Sequence, residues 1–345
     1  MSESKSSGLA NVDFDQLVFG KAFTDHMIVA EFDGDTWSEM EIRPFGPMEY
    51  HPASHVFHYG QAIFEGLKAY KTDAGEVNLF RAKDNISRLN LSANRLAIPE
   101  IDENQIMDAI IAWLQLDRAW VPEQHQGSLY VRPFIIATSP TLRAIPSVKY
   151  RFMLIASPVG FYYDRPIDVK VESKYSRAVQ GGVGHAKAAG NYAAAFMPSM
   201  LAKDQGYDQL IWTDRTENEY LEELGSANLF MVIDGVVYTP ELHDSILAGI
   251  TRDSVIKLIK RSGVEVVETK ISKNFLRDKL EQNSVECLFA TGTAAAITFI
   301  DKLEIDDKIY SLKSENHQGI VGIKKELEDY KFGRKEDAYS WNILL

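Results

Sequence analysis

The chain has a single cysteine, Cys287, in 345 residues. One thiol excludes an intramolecular disulfide and fits a reducing compartment, so a cytoplasmic location is expected. Cys287 sits in the apolar run Val285-Glu286-Cys287-Leu288-Phe289-Ala290, where a thiol packs as a small hydrophobe. Positive charge is short as well: 37 Lys and Arg against 49 Asp and Glu leave a net charge of −12, with no long basic run. Phosphate backbones need a positive face, so a nucleic-acid partner is not expected. No apolar run is long enough to span a membrane. Residues 1–11 are polar and Ser-rich and lack the apolar core of a signal peptide. Residues 1–18 are read as a disordered tail. Internal repeats and low-complexity segments are missing too, and no residue is assigned to a metal.

What is present is ordinary for a globular protein: 45% hydrophobic and 25% charged residues. The length suits two domains, and a boundary is placed near Arg165. Residues 28–32 and 36–42, around Asp33-Gly34-Asp35, read as a β-hairpin. Residues 67–71 and 76–80 read as strands around a Gly75 turn. Residues 84–96 have helical spacing, with Asp84 as N-cap and Ile86, Leu89, Ala93 and Leu96 as the apolar stripe. Residues 101–116 give a second helix. Residues 129–138 and 150–158 read as strands, and residues 193–203 as a helix kinked at Pro198. Residues 209–213, 229–233, 236–239 and 285–290 are further strands.

The segment Gly181-Gly182-Val183-Gly184-His185-Ala186-Lys187-Ala188-Ala189-Gly190-Asn191-Tyr192 sets one lysine among glycines and small residues. Glycines let a backbone pass close to a ligand. Desolvation makes a lysine amine nucleophilic, and a Schiff base to pyridoxal phosphate is one task that suits it. Taken alone, the segment is read first as a flexible surface loop with an incidental lysine. It does not fit the Gly-Lys-Ser/Thr start of a phosphate-wrapping loop. Arg88 lies where a helix could present it to an anion, or to solvent. Arg132 lies in an apolar strand, where a charge is costly unless paired. It is either a structural ion pair or a carboxylate receptor. Gly249 just before a helix offers an anion seat, and Thr251 an ordinary cap. Thr291-Gly292-Thr293-Ala294 offers a second seat, or a tight turn.

Together these features supply what a pyridoxal-phosphate transaminase requires. Gly181 to Tyr192, Phe64-Glu65-Gly66-Leu67-Lys68, Tyr130-Val131-Arg132-Pro133, Glu223-Leu224-Gly225-Ser226-Ala227-Asn228 and Gly292-Thr293-Ala294 also resemble the branched-chain amino acid aminotransferases. The resemblance runs from about Phe19 to Trp341. It implies a mixed α+β, two-domain enzyme of fold type IV, with a smaller N-terminal α/β domain and a larger C-terminal domain around a barrel-like mixed sheet. The expected division is 19–164, a connection at 165–180, and 181–345.

The resemblance further implies Lys187 as the Schiff-base lysine and Tyr192 as the partner of the O3′ atom of pyridoxal 5′-phosphate. Glu223 would pair the pyridine nitrogen, with Glu222 as a solvated neighbour. Arg88, Ile250, Thr251 and Thr293 would hold the phosphate. The amides of Thr293 and Ala294 would hold the substrate α-carboxylate. Phe19, Tyr59, Phe64, Tyr130, Arg132 and Tyr162 would form the side-chain pocket. Tyr59 and Arg132 would receive the second carboxylate of glutamate. The implied reaction moves the amino group of Leu, Ile or Val to 2-oxoglutarate, in a homodimer whose partner subunit completes the pocket. D-amino acid transaminases and aminodeoxychorismate lyases share the fold and are the alternatives; they usually lack the Tyr-x-Arg-Pro strand. Where animal members carry Cys-x-x-Cys, this chain has Ala295-Ala296-Ile297-Thr298, so thiol-based control is not expected.

Overall fold

A computed structural model of the chain describes residues 7–345. Two compact units are present, Met1–Tyr162 with Asp329–Leu345, and Tyr163–Glu328. They are close in size because the C-terminal segment returns to the first unit.

The first unit is built on an eight-stranded sheet whose pairings are antiparallel. Strand Ser128–Ala137 shows its logic. Alternate side chains of a strand point to opposite faces. Leu129, Val131, Ile135 and Ala137 are fully buried on one face. Helices Ala82–Arg95 and Glu103–Leu116 cover that face with Ile86, Leu89 and Ala93, and with Ile106, Ile110, Trp113 and Leu114. Each fully buried Leu or Ile here contributes about 1.5–3 kcal/mol. The opposite face is thereby left to Tyr130, Arg132 and Phe134. Register brings Lys68 of strand Leu67–Lys71 beside Tyr130, and Phe64 of strand Ala62–Phe64 beside Phe134.

The second unit holds a ten-stranded mixed sheet. Strands Ala227–Ile233, Val285–Gly292, Ala296–Ile305, Ile167–Glu172, Gln209–Thr213 and Tyr220–Leu224 pair in that order. Tyr220–Leu224 then pairs back with Ala227–Ile233, which closes a six-stranded barrel. Leu229, Met231, Leu288, Ala290, Ile300 and Leu303 belong to one buried core. Phe230 and Phe289, on the other side of the same strands, stack at 5.0 Å and are also buried.

Several expectations need correction. Residues 7–18 are ordered, with two short 3-10 helices, Gly8–Asn11 and Phe14–Gln16. Ser7 Oγ donates to Asp25 at 2.6 Å and Gln126 Nε2 to Asp15 at 2.7 Å. The first six residues of the expected tail lie outside the described residues. The stretch 165–180 is not merely a connection, since Ile167–Glu172 is a barrel strand paired on both sides. Its Ile-Asp-Val-Lys-Val-Glu alternation is a half-buried strand pattern. The first helix starts at Ala82, and its N-cap is Arg81 in the left-handed region (φ 54°). Asp84 sits in the first turn instead, paired with Arg81 at 2.9 Å. The second strand of the first hairpin begins only at Glu41. Among the described residues, no helix is long and apolar enough to cross a membrane.

Candidate active site

In the second unit, the glycine-rich segment leads into helix Ala189–Asp204. The segment is locked in place. A Cβ on Gly184 would lie 2.5 Å from Ser245 Cα and 2.6 Å from Ala178 Cβ, so only glycine fits. Asn191 Nδ2 donates to the carbonyls of Val183 at 2.8 Å and Ala186 at 3.0 Å. His185 N donates to Asp244 O at 2.9 Å. Lys187 emerges from this frame half-buried, with Nζ donating to Tyr192 Oη at 2.7 Å. Five residues apart across a helix start, the two side chains are set against each other by local geometry.

Glu223 is buried in strand Tyr220–Leu224. Oε1 accepts from Asn228 Nδ2 at 3.2 Å and Leu247 N at 3.3 Å, while Oε2 pairs with Arg177. Burial pushes the Glu223 pKa up; Arg177, the Leu247 amide and Lys187 act against that rise, and Glu222 adds to it. The Asn228 contact depends on Gly249, where a Cβ would meet Asn228 Oδ1 at 2.0 Å. Gly249 is also the N-cap of helix Ile250–Arg261, so Ile250 and Thr251 form its first turn. The first turn of a helix presents N–H groups along the positive end of the macrodipole. Thr293 and Ala294 lie in the turn between strands Val285–Gly292 and Ala296–Ile305. Tyr192, Glu223, Arg177, Asn191 and Phe196 line a pocket of ≈ 130 Å³.

The first unit gathers a different group. Arg88 is buried and clamped by Glu65, Nε to Oε1 at 2.7 Å and Nη2 to Oε2 at 2.9 Å. The Glu65 carboxylate is fully buried, and sequence reasoning assigned it no role. Arg132 Nη2 donates to Tyr130 Oη at 2.9 Å, and its guanidinium stacks over Phe64 at 4.5 Å. Arg132 Nε is buried without a hydrogen-bond partner. Phe19 packs on Tyr130 at 5.0 Å and on Tyr162 at 6.1 Å. Gly66 makes room for Tyr130, since a Cβ there would lie 2.1 Å from the phenol oxygen. Tyr59 stands apart from this group. It is 44% exposed, and its hydroxyl donates to Leu142 O.

Sequence reasoning missed Arg177, Asn228 and Ser245 as well. Asn228 was within a quoted motif, but nothing local marks Arg177. Glu222 is corrected: it is 4% exposed rather than solvated, and it accepts from Ser245 Oγ.

The donor set in the second unit suits pyridoxal 5′-phosphate. An amine bonded to a phenol can hold an aldehyde carbon, a buried carboxylate can hold a ring N–H, and a helix start can take a phosphate. The class IV amino-transferase family model matches residues 62–303. The chain belongs to that family. It is 42% identical over 338 residues to "Branched-chain-amino-acid transaminase 1" of Bacillus subtilis, covering 96% of this chain and 95% of the relative. Its fold matches the branched-chain amino acid aminotransferase of Escherichia coli at a TM-score of 0.74 and 28% identity, over 92% of this chain and 98% of that one. A T.th. branched-chain amino acid aminotransferase complexed with N-(5'-phosphopyridoxyl)-L-glutamate matches at 0.74 and 26%, over 92% and 97%.

Proposed function

We propose that this chain is a branched-chain L-amino acid transaminase that moves the amino group of Leu, Ile or Val to 2-oxoglutarate, reversibly. The observation that carries the reading is the Lys187–Tyr192 pair beside buried Glu223, in a chain 42% identical to a branched-chain transaminase. Bound pyridoxal 5′-phosphate supplies the electron sink for the carbanion at the substrate Cα. Lys187 would hold the cofactor's aldehyde carbon and would carry the proton between the substrate Cα and C4′. Tyr192 keeps the Lys187 amine aimed and donates to O3′. Glu223 holds the proton on the pyridine nitrogen. Ile250, Thr251 and Thr293 would seat the phosphate in the second unit, and Arg88, fixed by Glu65, is the first unit's candidate phosphate donor. The Thr293 and Ala294 amides bind the α-carboxylate.

Phe19, Phe64, Tyr130 and Tyr162 give apolar walls that accept branched side chains. One methylene in such a pocket is worth about 1–3 kcal/mol, so preference among the three substrates is modest. Arg132, with Nε still seeking an acceptor, reads the side-chain carboxylate of glutamate. Tyr59, displayed on the surface, serves a partner subunit in a homodimer that works in the cytoplasm. Phe57, Leu142 and Val148, each at least 60% exposed, support a subunit contact on the first unit. Purified protein with added cofactor, L-leucine and 2-oxoglutarate should form glutamate, and D-alanine should not replace L-leucine. Light scattering should give twice the chain mass. Turnover of D-alanine with no response to L-leucine would defeat the substrate assignment.

A further inference from the structure

Glu222 and Glu223 are consecutive in a strand, yet both carboxylates reach the group formed by Arg177 and Ser245. Side chains at consecutive strand positions ordinarily face opposite ways. The pairing with strand Gln209–Thr213 explains the exception. Leu221 opposes Thr213 and Leu224 opposes Ile211, so three steps on one strand match two on the other. This is a bulge, which turns an extra side chain out of alternation. Glu223 pairs directly with Arg177. Glu222 is joined to the same arginine through Ser245: the Ser245 hydroxyl donates to Glu222 Oε1, and the Ser245 carbonyl accepts from Arg177 Nη2.

The charges facing this cluster can be named. Arg177 and Lys187 face Glu223, and Arg177, His243 and Asp214 face Glu222. His243 Nε2 lies 3.9 Å from Glu222 Oε1, and His243 Nδ1 lies 3.0 Å from Ser245 Oγ. Buried charges are costly unless balanced. One guanidinium against Glu223 alone would be a neutral pair, with no net charge left to hold a further proton. With the Lys187 amine taken up by the cofactor, two carboxylates against that guanidinium leave one negative charge uncompensated.

We propose that Glu222 is a positioning residue that sets the charge at Glu223: by sharing Arg177, it leaves the cluster one positive charge short, which a protonated pyridine nitrogen supplies. The inference rests on the role given to Glu223 above. Burial pushes the Glu222 pKa up, as expected for a carboxylate whose ionised form needs added positive charge.

The test reads the proton itself. Protein loaded with cofactor isotope-labelled at the pyridine nitrogen is titrated by NMR, with the unfolding temperature as a check on folding. Glu222→Gln keeps an acceptor for Ser245 and removes the charge. It should lower the proton affinity of the ring nitrogen about tenfold. Glu222→Asp should restore most of that loss, and Glu223→Gln should cause a larger one. Wild-type titration in Glu222→Gln, with a clear shift in Glu223→Gln, would overturn this inference and leave the transaminase reading standing. If wild-type protein gives no lysine-linked visible absorbance, the reading beneath falls and the inference with it.

Discussion

Glu223 in the second unit and Arg132 in the first are satisfied in opposite ways. In the second unit, Glu223 has three protein partners, and Lys187 is bonded to Tyr192 within a segment held by Asn191. In the first unit, Arg132 lies over Phe64 and bonds Tyr130, yet its Nε is buried with no acceptor. A group that must keep one geometry through a reaction gains from fixed neighbours. A group that recognises a ligand has to keep a donor in reserve, at a cost of about 1–3 kcal/mol until the ligand arrives. In the proposed roles, Arg132 therefore serves recognition and Glu223 chemistry.

The largest expected effect falls on the chemical side. Lys187→Ala should remove the visible absorbance of the bound cofactor and lower kcat by at least about 10⁴-fold. Borohydride reduction followed by peptide mapping should tag Lys187; a tag elsewhere breaks the comparison. On the recognition side, Arg132→Ala should lower kcat/KM for glutamate about a hundredfold and for leucine by less than about tenfold. Gly66→Ala should move the same ratio in the same direction, because it displaces the phenol that Arg132 bonds. Equal losses for both substrates would remove Arg132 from carboxylate reading.

A smaller effect concerns Lys68, on the sheet face of Tyr130. Burial, and then the charge of Lys331, bring its pKa down to about 7 from 10.5. The unfolded chain binds the extra proton between those values, so this group makes stability rise with pH from about 7 to 10.5. Below pH 7 its full penalty is present. Lys68→Met should therefore raise Tm most below pH 7, with the gain shrinking towards pH 10. A pH-independent change in Tm would show that Lys68 keeps its proton. The smallest effect concerns Cys287, whose thiol is pushed up to about 12 by burial. Thiolate is the reactive form, so mild peroxide should leave activity unchanged. Reversible inactivation would contradict that.

The elements legible in advance were those with a strong local period. Strand Gln209–Thr213 has the expected bounds, and helix Glu103–Leu116 starts two residues later than expected, capped by Asp102 at 2.8 Å from Asn104 N. Strand Ile167–Glu172 was passed over although it alternates, because it follows Pro166 and precedes a glycine-rich loop. Strand Tyr220–Leu224 was missed because its bulge breaks the period of two.

The sequence by itself determined the family, because motifs spaced along most of the chain carry that information locally. The tertiary structure alone decided that Arg177 reaches Glu223 across 46 positions, that Glu65 clamps Arg88, and that Glu222 is buried. These pairings come from barrel closure and sheet register, which bring together residues that have no pattern in common along the chain.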